Sequence, residues 1–159
     1  MKIGVLADTH IPAVASDLPK AIYEAFKGID LILHAGDFVE LDVLHNLMAI
    51  APTEAVCGNM DSREVCRQLP RKKVVEAAHV KIGLVHGWGH PKDLVNTIGK
   101  EFQNVDAIVF GHSHEPMNEM RNNILFFNPG SPTDKIFAPY TSYGILEVDK
   151  TIKGKIIKM

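Results

Sequence analysis

Five short apolar runs of this chain each end in a polar residue of a type that binds metal ions. In order along the chain, the polar residues are Asp8 and His10, Asp37, Asn59, His86, and His112 and His114. Apolar runs of this length predict strands buried on both faces, as in parallel sheets that are covered by helices. Because ligand sites in such folds lie at the carboxyl ends of the strands, we expect all of these side chains to meet at one edge.

Taken singly, each of these residues has an ordinary structural explanation. Asp8 could cap a helix, and Asp37 and Asn59 could each shape a tight turn beside a glycine. His86 could be a core histidine whose hydrogen bonds are satisfied. A shared site is favoured by the repetition, because each residue follows an apolar strand and most of them have a glycine next to them.

Strands alternate with helices in the first half of the chain and dominate the second half. Helices are predicted between a Ser16 or Asp17 cap and Gly28, over residues 40–50, from a Ser62 cap to about residue 68, and over about 91–102. Hairpins are predicted for 72–77 with 80–85, for 115–121 with 124–127 around Asn122-Asn123, and for 143–148 with 155–157. This order predicts an α/β fold, a layered α-β-β-α sandwich of two mixed sheets with helices outside, in one domain over residues 1–159.

Length and charge limit the functional classes. The chain has 159 residues and a formal net charge of −2, so it offers no basic face for gripping nucleic acid, and an obligate nucleic-acid partner is disfavoured. No segment approaches the ~20 apolar residues of a membrane-spanning helix, and the first apolar run is too short for a signal peptide. We therefore expect a cytoplasmic protein without a membrane partner. Cys57 and Cys66 are too few for a disulfide framework, so reduced thiols are expected.

The polar side chains at the strand ends offer nitrogen and oxygen donors and no thiolate, a set that suits manganese, iron or zinc. Seven ligands are too many for one ion. Two ions about 3.5 to 4 Å apart, sharing a carboxylate, would use all of them and would clamp the attacking and leaving oxygens of an in-line displacement at phosphorus. A water molecule bridging the two ions would lose a proton near neutral pH and become the nucleophile.

Five motifs of this chain resemble, in their identity and their order, those of the calcineurin-like metallophosphoesterase superfamily. The short loops are most similar to those of its small, single-domain YfcE-like phosphodiesterases. The motifs are Asp8-Thr9-His10, Gly36-Asp37, Gly58-Asn59-Met60-Asp61, His86-Gly87 and Gly111-His112-Ser113-His114. The resemblance implies a divalent-metal-dependent phosphodiesterase that hydrolyses a small phosphodiester by in-line attack of a hydroxide bridging two metal ions. Manganese is the first choice of metal, with iron, nickel or zinc as alternatives. The implied ligands are Asp8, His10 and His114 for the first ion, Asn59, His86 and His112 for the second, and Asp37 as the bridge.

One motif departs from the family pattern, because many members have Gly-Asn-His where this chain has Met60 in the third position. That histidine is thought to protonate the leaving group, and Asp61 and His90 are weaker candidates for this role. We expect Asp61 to orient a neighbouring ligand instead, and His90 to lie on the pocket rim. Trp88 is expected to line the pocket or to cover the core beside it.

Other residues receive structural interpretations. His34, His45 and His79 are expected to be structural or exposed. The Asn-Pro-Gly-Ser loop at 128–131 resembles one near the site in this family, and its backbone amides could contact phosphate.

Several alternatives stay open. A phosphomonoesterase or a cyclic nucleotide phosphodiesterase would use the same residues. The alternative from another class is a non-catalytic protein-binding scaffold, since the retromer subunit of this superfamily is one. A scaffold would be expected to carry apolar replacements at ligand positions and an exposed hydrophobic patch. A single-metal structural site would leave Asn59 and His86 without a role. Edge strands in the second half of the chain make a homodimer possible.

Overall fold

A computed structural model describes residues 1–159 and contains ten strands and four helices. The strands are β1 Lys2–Leu6, β2 Leu31–His34, β3 Thr53–Ala55, β4 Lys72–Ala77, β5 Val80–Val85, β6 Ala107–Val109, β7 Met117–Arg121, β8 Ile124–Asn128, β9 Ser142–Val148 and β10 Ile152–Lys158. The helices are α1 Lys20–Ala25, α2 Leu41–Met48, α3 Arg63–Gln68 and α4 Pro91–Ile98. One sheet has the order β10-β9-β1-β2-β3 and the other the order β4-β5-β6-β8-β7. Both sheets are mixed, because β1 is parallel to β2 and antiparallel to β9, and β8 is parallel to β6 and antiparallel to β7.

Apolar side chains alternate between the two faces of each sheet and divide the molecule into layers. In β1, Ile3 and Val5 pack between the two sheets, whereas Leu6 packs against the helices that cover the first sheet. Helix α4 covers the outer face of the second sheet. At Gly4, a Cβ atom would lie 2.7 Å from Cζ of Phe26, so the close approach of this ring to the sheet requires glycine. The predicted α-β-β-α sandwich of two mixed sheets is confirmed.

Two of the three predicted hairpins form where the sequence predicts them, and in the third β10 begins at Ile152, three residues before the predicted start. Strands β4 and β5 pair over residues 72–77 and 80–85, as predicted. Asn122 and Asn123 connect β7 to β8 with φ angles of 50° and 64°, the left-handed conformation that two-residue hairpin turns need. Ser62 caps α3 by accepting a hydrogen bond from the Val65 amide at 3.3 Å.

Three helices are shorter than predicted: α1, α2, which covers Leu41–Met48 rather than 40–50, and α4. Helix α1 begins after Pro19 without a side-chain cap, because the Asp17 carboxylate accepts hydrogen bonds from the Leu18 amide and the Tyr23 hydroxyl instead. Helix α4 ends at Ile98 rather than near residue 102. None of the four helices has the length and apolar character needed to cross a bilayer.

The expectation of reduced thiols is wrong for this structure, which joins Cys57 and Cys66 in a disulfide and contains no free cysteine. The loop between β3 and α3 turns back on itself, so the two Cα atoms lie 5.2 Å apart, within the usual range for a disulfide. Sequence separation alone gave no sign of this approach.

Candidate metal centre

The side chains predicted to bind metal lie together at the carboxyl ends of the strands. Asp8 and His10 follow β1, Asp37 follows β2, Asn59 follows β3, His86 follows β5, and His112 and His114 follow β6. Backbone hydrogen bonds of 3.0 Å join neighbouring strand ends, from the Asp8 amide to the Gly36 carbonyl and from the Gly111 amide to the His86 carbonyl. The cluster therefore contains residues from both sheets and lies where the two sheets meet.

Asp8 is the fully buried centre of this cluster. Its Oδ1 atom lies 3.6 Å from Nε2 of His114 and 4.0 Å from Nε2 of His86. Its Oδ2 atom is the one buried side-chain polar atom of the protein that has no hydrogen-bond partner. Burying a carboxylate oxygen without a partner is costly, and a cation beside it would offset that cost. The donor set therefore fits a bound metal ion.

Two groups of acidic and histidine side chains share Asp8. Within each group, all ligand atoms lie within 4.8 Å of one another, and the groups are Asp8 with His10 and His114, and Asp8 with Asp37 and His86. Asp37 also lies between the groups, because its Oδ2 atom is 3.3 Å from Nε2 of His86 and 3.7 Å from Nε2 of His10. Both carboxylates are thus placed where two cations could share them.

Asn59 and His112 extend the cluster on the side of His86. The side-chain oxygen of Asn59 lies 3.0 Å from Nε2 of His86 and 3.1 Å from Nδ1 of His112. The His112 amide donates a hydrogen bond of 3.1 Å to Oδ1 of Asp8. The structure therefore brings all of the sequence-predicted ligands together.

Hydrogen bonds from the far side of two imidazole rings, those of His86 and His112, fix which nitrogen faces the centre. Nδ1 of His86 lies 2.8 Å from the Ala35 carbonyl, and Nε2 of His112 lies 3.0 Å from the Gly89 carbonyl. Because a carbonyl oxygen only accepts, each of these nitrogens carries the proton. The opposite nitrogens, Nε2 of His86 and Nδ1 of His112, face the cluster, where each neutral ring can offer its lone pair to a metal ion.

Five of the predicted ligands have left-handed backbone conformations, with φ angles from 46° to 69°. These residues are Asp8, His10, Asp37, His112 and His114. Such conformations are uncommon outside glycine and cost roughly 1 to 3 kcal/mol each, so they persist where the surrounding structure enforces them. Their concentration where the strands end is typical of functional sites.

Burial and charge shift the pKa values of the central groups in opposite directions. Burial raises the pKa of Asp8 to about 6, against the opposing charges of His86 and His114. Burial disfavours the charged form of His86, but its hydrogen bond to Asp37 and the charges of Asp8 and Asp37 outweigh this effect and raise its pKa to about 9. Without metal, a proton on His86 therefore compensates the two buried carboxylates.

Comparison with known proteins identifies the family. Residues 1–151 match the model of the calcineurin-like phosphoesterase superfamily domain. The chain belongs to this superfamily. A probable metallophosphoesterase of Methanothermobacter thermautotrophicus is 40% identical over 136 residues, which are 84% of this chain and 78% of that protein.

Solved structures show the same fold. An archaeal phosphodiesterase superposes with a TM-score of 0.78 at 26% identity, with 100% of both chains covered. Vacuolar protein sorting 29 of Cryptosporidium parvum gives a TM-score of 0.78 at 23% identity, with 99% of this chain and 97% of that chain covered. The second likeness shows the fold alone.

The superfamily motif Gly-Asn-x-Asp gives Asp61 a supporting position. Its Oδ2 accepts hydrogen bonds from the amides of Asp37 at 3.0 Å and Gly58 at 2.7 Å, and its Oδ1 accepts one from the Val39 amide at 2.7 Å. Both oxygens are thus occupied in holding the loop that carries Asp37. Met60, at the position where many family members have histidine, is 58% exposed.

His90 and the remaining histidines lie outside the cluster. His90 is exposed and caps α4, where its Nδ1 accepts a hydrogen bond from the Lys92 amide at 3.2 Å. His45 and His79 are exposed, whereas His34 is fully buried and stacks on Phe38 with ring centroids 3.6 Å apart. The buried His34 and the exposed His45 and His79 are within the predicted alternatives, structural or exposed.

The loop from Asn128 to Asp134 supports the site through hydrogen bonds to the loops that carry its ligands. The Ser131 hydroxyl donates to the Asp8 carbonyl at 2.7 Å, and the Thr133 hydroxyl donates to the Thr9 carbonyl at 2.8 Å. The amides of Gly130, Thr133 and Asp134 donate to side-chain oxygens within the loop, so these amides are not available to phosphate. This loop therefore fixes the backbone that carries Asp8 and His10.

Asp134, which the sequence did not predict as part of the site, has its Oδ2 atom 2.5 Å from Nδ1 of His114. Like the carbonyls behind His86 and His112, this carboxylate leaves Nε2 of His114 facing the cluster. The only signal in the sequence was the position of Asp134 shortly after the Asn-Pro-Gly-Ser motif, and this position does not indicate that Asp134 contacts His114.

Proposed function

We propose that this protein is a divalent-metal-dependent phosphodiesterase. The observation that carries the proposal is the Oδ2 atom of Asp8, a buried carboxylate oxygen without a partner at the centre of a cluster of nitrogen and oxygen donors. Membership of the superfamily and likeness to an archaeal phosphodiesterase support the same chemistry. One domain over residues 1–159 would suffice for it.

The distances support two metal positions. Asp8, His10 and His114 would hold one ion, and Asn59, His86 and His112 the other. The Asp37 carboxylate is close to a histidine of each set, which supports its role as the bridge. Asp8 is close to His86 as well as to His114, so it would contribute charge to both positions. Nitrogen and carboxylate donors without thiolate favour manganese, with iron, nickel or zinc as alternatives.

When bound, two such ions supply Lewis acidity at the phosphoryl oxygens and a nucleophile from water near neutral pH. The chain's own residues fix the geometry. The Ala35 and Gly89 carbonyls hold the rings of His86 and His112, and Asp134 holds that of His114. Asp61 fixes the loop of Asp37 by accepting hydrogen bonds from the Asp37 and Val39 amides. Positioning of this kind lowers the barrier because the ligands need no rearrangement during the reaction.

The chain offers no evident acid for the leaving group. Met60 cannot donate a proton, both oxygens of Asp61 accept backbone hydrogen bonds, and His90 is an exposed helix cap. Esters with good leaving groups need no such acid. We therefore expect diesters of acidic alcohols, such as nitrophenyl esters, to react faster than alkyl esters.

The test is the hydrolysis of bis(p-nitrophenyl) phosphate by chelator-stripped protein, before and after addition of manganese. Manganese should restore hydrolysis, and His86→Ala and the more exposed Asn59→Ala should each reduce it by at least about 10-fold to 100-fold. His79→Ala, a histidine in the exposed turn after β4, is the matched control and should match the parent. Comparison with p-nitrophenyl phosphate separates a diesterase from a phosphomonoesterase, and adenosine 3′,5′-cyclic monophosphate tests cyclic substrates.

A protein-binding scaffold of the same fold is the second candidate. Ile136 and Phe137 are each 82% exposed, which is the apolar surface expected of a scaffold. The other expectation for a scaffold does not hold, because every predicted ligand position keeps a ligand side chain. A folded protein that binds two manganese equivalents and hydrolyses no phosphate ester would overturn the proposed activity and favour the scaffold.

A further inference from the structure

A cavity of about 130 Å³ opens beside the metal centre, on the side of Asn59 and His86. Arg71 and Trp88 line it together with these two candidate ligands. Pockets that enclose a whole drug-sized ligand have volumes of about 300 to 1,000 Å³. This cavity therefore has room for one part of a substrate whose phosphate lies at the metal centre.

Arg71 contributes a positive charge that nothing in the protein neutralises. It is the first of three consecutive basic residues, and the other two are paired: Lys72 with Glu101 at 2.6 Å and Lys73 with Glu54. The Arg71 guanidinium forms neither an ion pair nor a hydrogen bond within the chain. A hydrogen bond of 2.9 Å from the Cys57 amide to the Pro70 carbonyl fixes the backbone next to it. A free guanidinium in a cavity wall suits a carboxylate or phosphate, which it binds through two parallel hydrogen bonds.

Trp88 contributes an aromatic surface. It is 47% exposed although it follows a buried strand and the buried His86. The chain turns at Gly87, where φ is 98° and a Cβ atom would lie 2.7 Å from Cδ1 of Leu94, so this turn requires glycine. The turn directs the indole out of the core and into the cavity wall. Exposed indole rings beside a nucleotide path bind bases by stacking.

We propose that this cavity binds one ester arm of the substrate and selects an arm with both an aromatic ring and an additional negative charge, as found in a nucleotide. Trp88 stacks on the base, and Arg71 binds a phosphate other than the one that is hydrolysed. This inference rests on the proposed function, because the cavity would bind part of the substrate of the proposed phosphodiesterase reaction. The substrate class is then a short phosphodiester of nucleosides with a terminal phosphate.

Binding can be measured apart from catalysis because Trp88 is the only tryptophan of the chain. In chelator-treated protein, adenosine 5′-monophosphate should quench its fluorescence with a dissociation constant at least about 10-fold lower than that of adenosine. Ribose 5-phosphate, which has no base, should quench little. Arg71→Ala should abolish the preference for the monophosphate, Arg71→Lys should retain part of it, and the neighbouring Lys72→Ala should match the parent. Equal binding of adenosine and its monophosphate by the parent, or an unchanged preference in Arg71→Ala, would overturn the proposal.

Kinetics test the same selection during turnover. With manganese, the 5′-phosphorylated adenosine dinucleotide should be cleaved with a kcat/KM at least about 10-fold above that of the unphosphorylated dinucleotide, and Arg71→Ala should remove this difference. Trp88→Ala should raise KM for both substrates. Hydrolysis of bis(p-nitrophenyl) phosphate by the same preparation separates the two hypotheses. Normal hydrolysis without dinucleotide preference overturns the subsite alone, whereas no hydrolysis with intact nucleotide selection in the fluorescence assay overturns the proposed activity alone.

Discussion

Oδ2 of Asp134 and Nδ1 of His114 form a hydrogen bond of 2.5 Å between two loops that are 20 residues apart in sequence. Oδ1 of Asp134 accepts hydrogen bonds from the amides of Ile136 at 2.8 Å and Phe137 at 3.0 Å. Burial opposes ionisation of Asp134, but the hydrogen bonds from Phe137, His114 and Ile136 outweigh it and lower its pKa to about 2. A carboxylate that is charged at all ordinary pH values therefore fixes the ring of a candidate metal ligand.

Replacing Asp134 by Asn should weaken manganese binding by about 10-fold to 100-fold, because the neutral amide holds the His114 ring less strongly and makes it a poorer ligand. Competition with a fluorescent chelator measures the affinity directly. Asp149→Asn, an exposed acid in the turn between β9 and β10, should bind metal like the parent. An Asp134→Asn protein with parental affinity and an intact circular dichroism spectrum would contradict the positioning role.

Metal binding should release about one proton at pH 7.5, because a histidine must be neutral to coordinate a metal. The pKa of His86 is raised to about 9 in the metal-free protein, so this ring is mostly charged at pH 7.5 and must lose its proton. The apparent affinity should therefore rise with pH up to about 9. Calorimetric titrations in two buffers of different ionisation enthalpy measure the proton count.

The same pKa shift predicts how the metal-free protein responds to pH. Because the folded pKa of His86 exceeds the unfolded value of 6.5, its contribution to the free energy of unfolding is complete below pH 6.5 and is lost as pH rises through about 9. His86→Asn should remove this contribution and also the proton release. If the heat of metal binding does not depend on the buffer, binding releases no proton, and the predicted protonation of His86 in the metal-free protein is contradicted.

His34 should matter for stability rather than for metal binding. The fully buried ring accepts a hydrogen bond of 3.2 Å from the Gly36 amide at Nδ1, so its protonated Nε2 faces the Thr9 hydroxyl at 3.2 Å. His34→Ala leaves a cavity and removes the acceptor of that amide, which should lower the free energy of unfolding by roughly 2 to 4 kcal/mol. Urea denaturation in the presence of chelator measures the change. The exposed His79→Ala should stay within about 0.5 kcal/mol of the parent, and an equally small effect at His34 would refute its structural role.

The parts of the fold that could be predicted are those that local pattern determines. The paired β-rich runs before and after Ala78-His79 and Asn122-Asn123 form the hairpins that their spacing predicts. The ends of helices depend on tertiary competition for side chains, which a sequence does not display. Asp17 illustrates this, because its carboxylate binds the Tyr23 hydroxyl and leaves α1 without the predicted cap.

The candidate site, like the fold, has parts that the sequence predicts and parts that it does not. Its predicted ligands follow strands, and the rule that strand ends meet at one edge was enough to bring them together. The groups that orient them could not be found from sequence, since two are backbone carbonyls, of Ala35 and Gly89, and the third is Asp134 on a loop without periodic pattern. Nor does the sequence show that five ligands need left-handed backbone conformations.

The disulfide joins Cys57 and Cys66, which are 9 residues apart in sequence, and closes the loop that carries Asn59 and Asp61. Closing a loop of this length restricts the unfolded chain and should contribute roughly 2 to 3 kcal/mol to the free energy of unfolding. Reductant should therefore lower the urea midpoint of the parent, whereas a Cys57→Ser/Cys66→Ser double variant should have the lower midpoint under both conditions. Titration of the unfolded, unreduced protein with a thiol reagent should find no free thiol, and two thiols per chain would show that the bond does not form.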